Sequence, residues 1–597
     1  AGARGRLAAH VAAVRGGGVA PHAALASGFE RLPDAQKTVY AEARMRDYEL
    51  TPTLAVLAQM KLGKTKALRR LLDAHFPAGG LETRVVRFVT FRQTFGRSLA
   101  EAFPDFTLYS DVEGELDPLR HPRLIVQVES LHRLRMGARP EPVDLLVLDE
   151  VESVLAQFSS GLHRHFSAAF AMFQWMLRTA RHVVCMDANL GDRTLHTLLR
   201  MRPAHPPHFH WNRYARAADD VYRFTADQGD WLEGLYAAVR AGLRVVLPTN
   251  SLAEAKAFEE ALRREFPGRA VALYSSETAP GEKARHFGDV HTHWGALDVL
   301  IYTPTCSAGV SFELEHFDAL FGYFCDASCD VETCRQMLGR VRSLRTREHT
   351  ICLRAGGAAL PATVEDIRRL VFDKRAGLAR AVEDPAVLYE YAADGSVRFY
   401  ESDYFHLWLE TTRVANLSRN DFARRFVDQV ADTGAAVGLL APAAGGGAGA
   451  ALLAGHRAAR ADLEDRRCAA VAAAADLSPE EAAAVRSAMA AQLDVEPAAR
   501  LAYEKYMLRE AYAWHGRPLD AAFVAGYQGA DARRVYRSLC LASAGGDAAE
   551  ALGHRPHRVV QCRHAVHEDA AADEEHGRRA GHRQRLHQPG RRAQDQR

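Results

Sequence analysis

The sequence predicts an α/β protein with two tandem domains, each built on a parallel sheet, followed by a mainly helical region. Short apolar runs alternate with amphipathic segments in two consecutive series, one in residues 46–215 and one in residues 216–355. Continuous apolar runs that lead into helical patterns are typical of parallel strands buried on both faces. From residue 356 to about 540 the pattern changes to Ala-, Arg- and Glu-rich stretches with helical spacing, such as Pro479–Leu493 and Ala499–Trp514.

The candidate strands are the apolar runs themselves, whose lengths suit ordinary strands. The runs of the first series are Leu54–Met60, Val85–Phe91, Leu124–Val128, Leu145–Asp149 and Val183–Asp187. The runs of the second series are Val221–Thr225, Val245–Pro248, Ala270–Tyr274, Val299–Thr303, Ala319–Phe324 and Thr350–Leu353. Each series is long enough for one domain of ordinary size.

The two ends of the chain differ from this core. We interpret residues 1–45, which are rich in Ala, Gly and Arg, as a poorly ordered leader. The Ala- and Gly-rich stretch near 441–455 predicts a flexible link inside the helical region. Residues 541–597 are rich in Arg and His and have almost no apolar periodicity, which is typical of a disordered tail. The sequence begins at Ala1, and we expect it to be a fragment of a longer chain.

The composition of the 597 residues excludes several classes of protein. The net charge of +2 is nearly neutral, so any nucleic-acid surface must be a local basic stripe. The nine cysteines are scattered, which favours reduced thiols in an intracellular setting over a disulfide scaffold. The sequence lacks the run of about 18 apolar residues that a membrane span needs, and we recognise no secretory signal.

A phosphate-binding loop is predicted directly after the first candidate strand. The loop reads Gln59-Met60-Lys61-Leu62-Gly63-Lys64-Thr65 and leads into an amphipathic helix. Backbone N–H groups and the helix N-terminus would cradle the phosphates of ATP, Lys64 would reach the β- and γ-phosphates, and Thr65 would offer its hydroxyl to Mg²⁺. Lys61 departs from the small residue or glycine that is usual at its position. The alternative is a helix N-terminus with a charged first turn.

Two adjacent carboxylates end another apolar run and strengthen this interpretation. In Val143–Glu152, Asp149 would hold Mg²⁺ and Glu150 would position and polarise the attacking water. The alternative is a strand end with two solvated acids. A phosphate loop together with a downstream strand that ends in Asp-Glu is far more specific than either alone, and it indicates a nucleotide hydrolase.

An arginine motif in the second series completes the candidate nucleotide site. Gln336-Met337-Leu338-Gly339-Arg340-Val341-Arg342 has a helical context, and Arg340 and Arg342 suit a trans-domain contact to the γ-phosphate. We place Gln336 and Gly309 at the nucleotide as well. Taken alone, the motif could be a basic turn on the surface.

Hydroxyl, amide and arginine side chains at the ends of several candidate strands are predicted to contact nucleic acid. Ligands of α/β sheets bind at the carboxyl ends of the strands, and such side chains contact a phosphate backbone without reading its sequence. The candidate residues are Thr90, Arg92, Gln127, Ser130, Thr303 and Thr305.

Taken together, these segments resemble the replication-origin-binding protein family of herpesviruses, whose relatives occur in other large DNA viruses. The similar segments read QMKLGKTKAL, VTFRQTFGRSLA, LIVQVESLHRL, DLLVLDEVESVLAQF, MDANLGDRTL, YTPTCSAGVSFE, HFDALFGYF and QMLGRVRSLR. They cover about residues 50–350, and a weaker similarity continues through Phe405–Val427. We do not recognise the family's separate origin-binding domain in the C-terminal part.

The resemblance implies two RecA-like domains and an ATP-driven DNA helicase of superfamily 2 that acts at replication origins. ATP, Mg²⁺, single-stranded or origin DNA and other replication proteins would be its ligands and partners, in the nucleus or a viral factory. Asp187-Ala188 stands where many members have Ser-Ala-Thr, a motif that couples hydrolysis to unwinding. The second arginine of the usual arginine motif falls at position 343, which is Ser, so Arg342 lies one residue early.

Two other functions remain open at this stage. One is an inactive DNA-binding scaffold that keeps the fold, which Lys61 in the phosphate loop favours. The other is an ATPase that remodels protein–DNA complexes without unwinding. Cys325, Cys329 and Cys334 have poor spacing for zinc and suit packing better. We also expect the tryptophans to pack in cores rather than stack on bases; the four considered are Trp175, Trp211, Trp231 and Trp294.

Overall fold

The fold is taken from a computed structural model. It describes most of the chain between Gly2 and residue 532. The described residues are 2–16, 27–79, 84–134, 143–160, 163, 165–306, 310–372, 389–391, 397–399, 401–442, 447–491, 493–514, 516–529 and 532. The predicted tail of residues 541–597 and the predicted nucleotide contact Gly309 lie outside them.

The first domain is an eight-stranded parallel sheet with helices on both faces. Its strand order is β1-β8-β2-β7-β6-β3-β5-β4. The strands are β1 Lys37–Tyr40, β2 Thr53–Ala58, β3 Val86–Thr90, β4 Thr107–Leu108, β5 Arg123–Gln127, β6 Leu145–Asp149, β7 His182–Asp187 and β8 His208–Asn212. The helices are α2 Ser27–Glu30, α3 Lys64–His75, α4 Gln93–Ala102, α5 Val151–Gln157, α6 Phe166–Thr179 and α7 Asp192–Met201. The buried sheet accounts for the uninterrupted apolar runs in the sequence.

The second domain is a seven-stranded parallel sheet of order β11-β12-β10-β13-β14-β9-β17. Its strands are β9 Val221–Thr225, β10 Val245–Pro248, β11 Val271–Tyr274, β12 Val299–Tyr302, β13 Ala319–Cys325, β14 Glu348–Arg354 and β17 Ala436–Leu439. Its helices are α8 Gln228–Arg240, α9 Leu252–Glu265, α10 Pro280–Gly288, α11 Val290–Gly295 and α12 Val331–Leu338. Trp231 and Trp294 are fully buried in this domain, as the packing interpretation predicts.

The region after the second domain is mainly helical. It contains the small antiparallel hairpin β15 Tyr389–Tyr391 and β16 Val397–Phe399. Its helices are α13 Val364–Phe372, α14 Asp403–Asn420, α15 Phe422–Ala431, α16 Ala448–Ala473, α17 Pro479–Ala490, α18 Pro497–Ala511 and α19 Ala521–Tyr527. Among the residues that the structure describes, no helix has the length and the apolar run needed to cross a bilayer.

Two predictions about irregular segments need correction. Residues 1–45 are not a poorly ordered leader throughout, because helix α1 Ala3–Arg15 packs Leu7 and Val11 into the core of the second domain, and β1 adds a strand to the first sheet. The link near 441–455 is shorter than predicted, because α16 begins at Ala448 and its early residues pack against α8. Alanine has a high helix propensity, so an Ala-rich stretch becomes helical where it finds a surface to pack on.

The predicted fold class is confirmed. Two tandem parallel α/β domains of the RecA-like type are followed by a mainly helical region, and the predicted runs coincide with eleven of the strands within one or two residues at each end. The structure adds that β17, from the helical region, returns to the edge of the second sheet beside β9. The two domains meet where the phosphate loop, the end of β6 and helix α12 come together.

Candidate nucleotide cleft

The phosphate loop joins the end of β2 to the N-terminus of α3. Gly63 is the N-cap of α3 and has φ 94°, a left-handed conformation that favours glycine. Within the described part of the chain, no side chain caps this helix. Its first N–H groups therefore remain available to an anion, as the predicted loop requires. Thr65 lies in the first turn, and Leu62 is buried against the first core.

Lys64 folds back over the loop in this structure. Its Nζ donates a hydrogen bond of 2.7 Å to the backbone carbonyl of Ala58, and the carbonyl of Gln59 lies 3.5 Å away. The hydroxyl of Tyr48 donates to the Lys64 carbonyl from the other side, at 3.2 Å. These are contacts to neutral oxygens, which a phosphate oxygen would replace with a stronger, charge-assisted bond.

Two buried carboxylates, Asp149 and Asp187, and the half-buried Glu150 lie at the ends of two neighbouring strands. Asp149 ends β6 and Asp187 ends β7, and the two strands pair with Asp149 opposite Met186. Burial raises the pKa of Asp149 to about 6, with Lys64 opposing the shift and Asp187 adding to it. Burial and the neighbouring Asp149 also raise the pKa of Glu150. Burial, with Glu150 and Glu152 close by, raises the pKa of Asp187 to about 8.

This donor set fits Mg²⁺. Asp149 supplies a carboxylate and Thr65 a hydroxyl, which are the hard oxygen ligands that Mg²⁺ takes beside phosphates and water. In the described ranges no group of three or more His, Cys, Asp or Glu side chains is arranged to hold a metal. A site with few protein ligands is what a Mg²⁺–nucleotide complex uses, because the phosphates supply the remaining oxygens.

The arginine segment faces these acids from the second domain. Gln336, on α12, donates a hydrogen bond of 3.0 Å from Nε2 to Glu150 Oε2. Arg340 is held by its own domain, since its Nε donates to the Gln336 carbonyl at 2.9 Å and its Nη1 to the Val310 carbonyl at 3.2 Å. Burial lowers the pKa of Arg340, and the nearby Glu150 opposes that shift.

Arg342 and Lys61 form a second contact across the cleft. The Lys61 ammonium donates a 3.1 Å hydrogen bond to the backbone carbonyl of Arg342, while Arg342 Nε donates to the hydroxyl of Ser311. Lys61 has φ 68°, so a lysine occupies the left-handed conformation that favours glycine. Although much of the Lys61 side chain is exposed, desolvation of its ammonium in the cleft, with Arg342 and Arg216 close by, lowers the pKa of Lys61 to about 8.

A cavity of about 260 Å³ lies between the phosphate loop and the arginine segment. Met60 and Lys61 line it from the first domain, and Gly339 and Arg342 line it from the second. A Cβ atom on Gly339 would lie 3.3 Å from Met60 Cε, so the missing side chain lets the two segments approach closely. The Gln59 side chain has two protein partners, since its amide donates to the Asp432 carbonyl at 3.0 Å and accepts from the Arg216 N–H at 3.3 Å. Its contact to the nucleotide stays a prediction.

The residues predicted to contact nucleic acid divide into two groups. Thr90 and Thr303 are buried, and the Thr90 hydroxyl has no partner among the described residues. Both predictions are corrected, because Thr90 at the end of β3 and Thr303 directly after β12 are buried. Arg92, Gln127, Ser130 and Thr305 keep partial exposure.

Two of the partly exposed residues already have protein partners. Arg92 donates from Nη1 to the Pro304 carbonyl of the other domain at 2.7 Å, and Gln127 accepts from the Tyr109 hydroxyl at 2.5 Å. The strand ends of the two domains therefore meet along one edge of the cleft. Cys329 and Cys334, considered above for zinc, have sulfurs 3.6 Å apart, and Cys334 packs in the second core.

Three residues that were not predicted as site residues have contacts between the domains or to the helical region. Arg335 precedes Gln336 and donates from Nη1 to the side-chain oxygens of Asn189, at 3.2 Å, and Gln429, at 3.1 Å. Asn189 follows the Asp187-Ala188 pair, and Gln429 lies on α15, outside every motif considered. The available sequence signals were the place of Arg335 directly before the arginine motif and the place of Asn189 within the similar segment MDANLGDRTL.

Comparison with known proteins gives the family that the chain resembles. The family model described as "Origin of replication binding protein" matches residues 43–220 and 281–363. A protein of African swine fever virus (isolate Pig/Kenya/KEN-50/1950), whose name assigns it provisionally to a helicase/primase complex, is 42% identical over 526 residues, which are 88% of this chain and 49% of that protein. The replication origin-binding protein of human herpesvirus 2 (strain HG52) is 33% identical over 336 residues, 51% of this chain and 38% of that protein.

Solved structures give a weaker similarity. The structure of Mycobacterium smegmatis helicase Lhr bound to ssDNA and AMP-PNP is 15% identical, and the match covers 69% of this chain and 56% of that chain. Its TM-score of 0.36 is too low to support an argument about function. The chain spans about half the length of the African swine fever virus relatives that it matches. Through its two-domain core, the chain resembles the family of origin of replication binding proteins, and the resemblance that the motifs predicted is confirmed.

Proposed function

We propose that this chain is an ATP-dependent DNA helicase or translocase that acts in replication, with ATP and Mg²⁺ bound in the cleft between the two domains. The observation that carries the proposal is the hydrogen bond from Gln336 to Glu150. It brings the arginine segment of one domain to the acid pair of the other. A nucleotide bound at the phosphate loop would then face both.

Each side chain has a role in this proposal. The free N-terminus of α3 and Lys64 would bind the phosphates, and Asp149 and Thr65 would hold Mg²⁺, which neutralises charge on the phosphates when it is bound. Glu150 would orient the attacking water and accept its proton, for which a raised pKa is suited. Arg340 would meet the charge that develops on the γ-phosphate, and Arg342 would assist from the rim.

DNA is the proposed nucleic acid, and the strand ends that carry Arg92, Gln127, Ser130 and Thr305 are its proposed binding edge. The names of the relatives support a replication setting, since one is a replication origin-binding protein. Other replication proteins are proposed partners, and the nucleus or a viral factory is the proposed location. Closure of the two domains on DNA would complete the nucleotide site, which is how DNA would stimulate hydrolysis.

ATP turnover, titrated separately with single-stranded DNA, duplex DNA and RNA, tests this function. Wild-type protein should hydrolyse ATP and respond more strongly to DNA than to RNA, and it should displace one strand of a partial duplex. Lys64→Ala is the control, since it removes the phosphate-binding charge without touching a core residue. Turnover that survives in the Lys64→Ala protein would refute the assignment of the phosphate loop.

The two alternatives give different results in the same assays. An inactive DNA-binding scaffold, which the lysine at position 61 favours, would bind DNA without ATP turnover above the Lys64→Ala background. An ATPase that remodels protein–DNA complexes would show DNA-stimulated turnover without strand displacement.

A further inference from the structure

Helices α14 and α15 connect the two domains after the chain has left both of them. α14 packs on α7 and buries Tyr404, Phe405 and Trp408 in the core of the first domain. α15 follows after one residue, packs on α12 and buries Phe422 and Phe426 in the core of the second domain. A consecutive helix pair whose halves belong to different cores must respond when the domains move relative to each other.

Arg335 lies where this helix pair meets the cleft. Its Nη1 donates to Asn189 Oδ1 of the first domain at 3.2 Å and to Gln429 Oε1 of α15 at 3.1 Å. The side chain is half-buried, and burial lowers the pKa of its guanidinium. One guanidinium nitrogen therefore joins the first domain, the second domain and α15.

Both acceptors are held in position by further contacts. The Asn189 N–H donates to Asp187 Oδ1 at 2.8 Å, which fixes the turn after β7. Gln429 donates from Nε2 to Glu332 Oε1 at 2.6 Å, and Arg425 donates to the same oxygen at 2.9 Å. Glu332 Oε2 and Arg425 Nε are buried and lack partners among the described residues. The positions of Asn189 and Gln429 thus set the geometry around the Arg335 guanidinium.

Arg335 and Gln336 are consecutive on α12, and they reach two neighbouring points of the first domain. Gln336 contacts Glu150 at the end of β6, and Arg335 contacts Asn189 just beyond the end of β7, the strand that pairs with β6. A movement of α12 relative to the first sheet would therefore change both contacts together.

We propose that Arg335 is a positioning residue that links the turn after β7 to α15, so that the α14–α15 pair takes part in closing the nucleotide cleft. The inference rests on the proposed ATP hydrolysis. The planar guanidinium suits this role, because the two N–H groups of Nη1 keep a fixed geometry toward two acceptors at once. A lysine ammonium has a shorter reach, and its donors rotate. The helical region is then a working part of the motor.

Substitutions of Arg335 separate positioning from simple structural support. Arg335→Met keeps much of the side chain's length and removes the donors, and it should lower kcat roughly 10- to 100-fold, the range expected for lost hydrogen bonds from a charged donor. Affinity for a fluorescent non-hydrolysable ATP analogue should stay near the wild-type value, because the phosphate loop is intact. Arg335→Lys should recover only part of kcat. Arg369→Met is the matched control, since that side chain is 79% exposed on α13 and should change nothing.

A double-mutant cycle assigns the two halves of the link. Asn189→Ala and Gln429→Ala should each lower kcat, and adding either one to Arg335→Met should cost little more, because the shared contact is already lost. Full additivity with Gln429→Ala would remove α15 from the proposal. A wild-type kcat in the Arg335→Met protein would overturn the proposal altogether. A lower affinity for the analogue together with a lower thermal midpoint would also overturn it, because that result indicates a structural role.

A measurement without hydrolysis keeps this test separate from the proposed function. Small-angle scattering with the non-hydrolysable analogue and Mg²⁺ should give a larger radius of gyration for Arg335→Met than for wild type, because the cleft closes less. Equal radii would overturn the proposal. Absence of ATP turnover in the wild-type protein would instead refute the proposed function, and the scattering comparison would still test Arg335.

Discussion

The side-chain amide of Gln336 donates a 3.0 Å hydrogen bond to Glu150 across the cleft between the two domains. Glu150 itself has φ 54°, a left-handed conformation that is uncommon for residues other than glycine. The turn that produces this conformation directs the Glu150 carboxylate out of the sheet and toward the other domain. Backbone strain of this kind often marks a functional position, because the surrounding structure must maintain it.

Glu150→Gln should preserve nucleotide binding and lose hydrolysis. The substitution keeps the Gln336 contact available through the amide oxygen, and it leaves Asp149 in place for Mg²⁺. Loss of the proton-accepting carboxylate should lower kcat roughly 10²–10⁴-fold, the usual contribution of a general base. Nucleotide affinity and single-turnover hydrolysis measured side by side check this, and a parallel loss of both would contradict it.

Arg340→Ala should lower hydrolysis far more than ATP affinity. Its guanidinium is held by the Gln336 and Val310 carbonyls, so it is oriented before any nucleotide arrives. A contact made mainly to transition-state charge appears in kcat, and we expect about a 10³-fold loss, the lower end for arginine fingers. Arg342→Ala is the comparison variant and should have a smaller effect. Normal DNA-stimulated turnover in Arg340→Ala would remove this residue from the site.

Lys61 should make stability depend on pH. Its folded pKa of about 8 is below its ordinary value of 10.5, because its ammonium is desolvated in the cleft and Arg342 and Arg216 lie nearby, with Asp220 and Glu313 opposing. The folded state binds the proton less well than the unfolded state, so Lys61 costs stability below pH 8, and this cost fades as pH rises from 8 to 10.5. The Lys61→Met variant lacks this pH-dependent cost in stability. Its advantage in thermal midpoint over wild type should therefore shrink between pH 7 and pH 10, and a constant difference would contradict the prediction.

Two further substitutions of Lys61 distinguish the effect of backbone strain from the effect of charge. Lys61→Gly should be more stable than Lys61→Ala by about 1 kcal/mol, because alanine keeps the penalty of the left-handed conformation and glycine does not. Both variants remove the ammonium, so the comparison cancels its charge. Unfolding by urea at pH 7 measures the difference, and equal stability would mean that the loop relaxes around alanine.

Arg202 should be a stability residue with no part in the site. It is 2% exposed and donates to three backbone carbonyls, of Pro52, Leu177 and Ala180, and to the Thr53 hydroxyl. Arg202→Met should lower the free energy of unfolding by about 3 kcal/mol, because several buried acceptors lose their donors. The Arg369→Met protein again serves as the exposed control. A change within about 0.5 kcal/mol, as at ordinary surface sites, would show that water satisfies those carbonyls.

The sequence determined the parts of this protein that depend on near neighbours along the chain. Apolar runs of four to seven residues gave eleven strands of the two sheets, because a strand buried on both faces needs apolar side chains at every position. The phosphate loop, the Asp149-Glu150 pair and the arginine segment were equally visible, since each is a short motif whose chemistry lies in consecutive residues.

Strands that are polar, or that are short and distant along the chain, escaped prediction. β8 reads His-Phe-His-Trp-Asn and lies between β1 and β2, with its polar side chains bonded to partners such as Tyr40 and Thr38. β17 is a four-residue edge strand that comes from far along the chain. In both, pairing with a distant strand supplies what the local pattern lacks, as expected where tertiary context overrides propensity.

Only the tertiary structure decided which side chains meet across the cleft. Thr90 and Thr303 stand at strand ends, as predicted, yet both are buried. Arg335 and Gln429 are 94 residues apart, and their contact depends on the path of the chain through α14 and back. Each residue of a strand or helix contributes to the local periodicity, so the sequence shows it directly. The path of a connection between elements is weakly constrained by the sequence, because the free energy of loop closure changes only slowly with loop length.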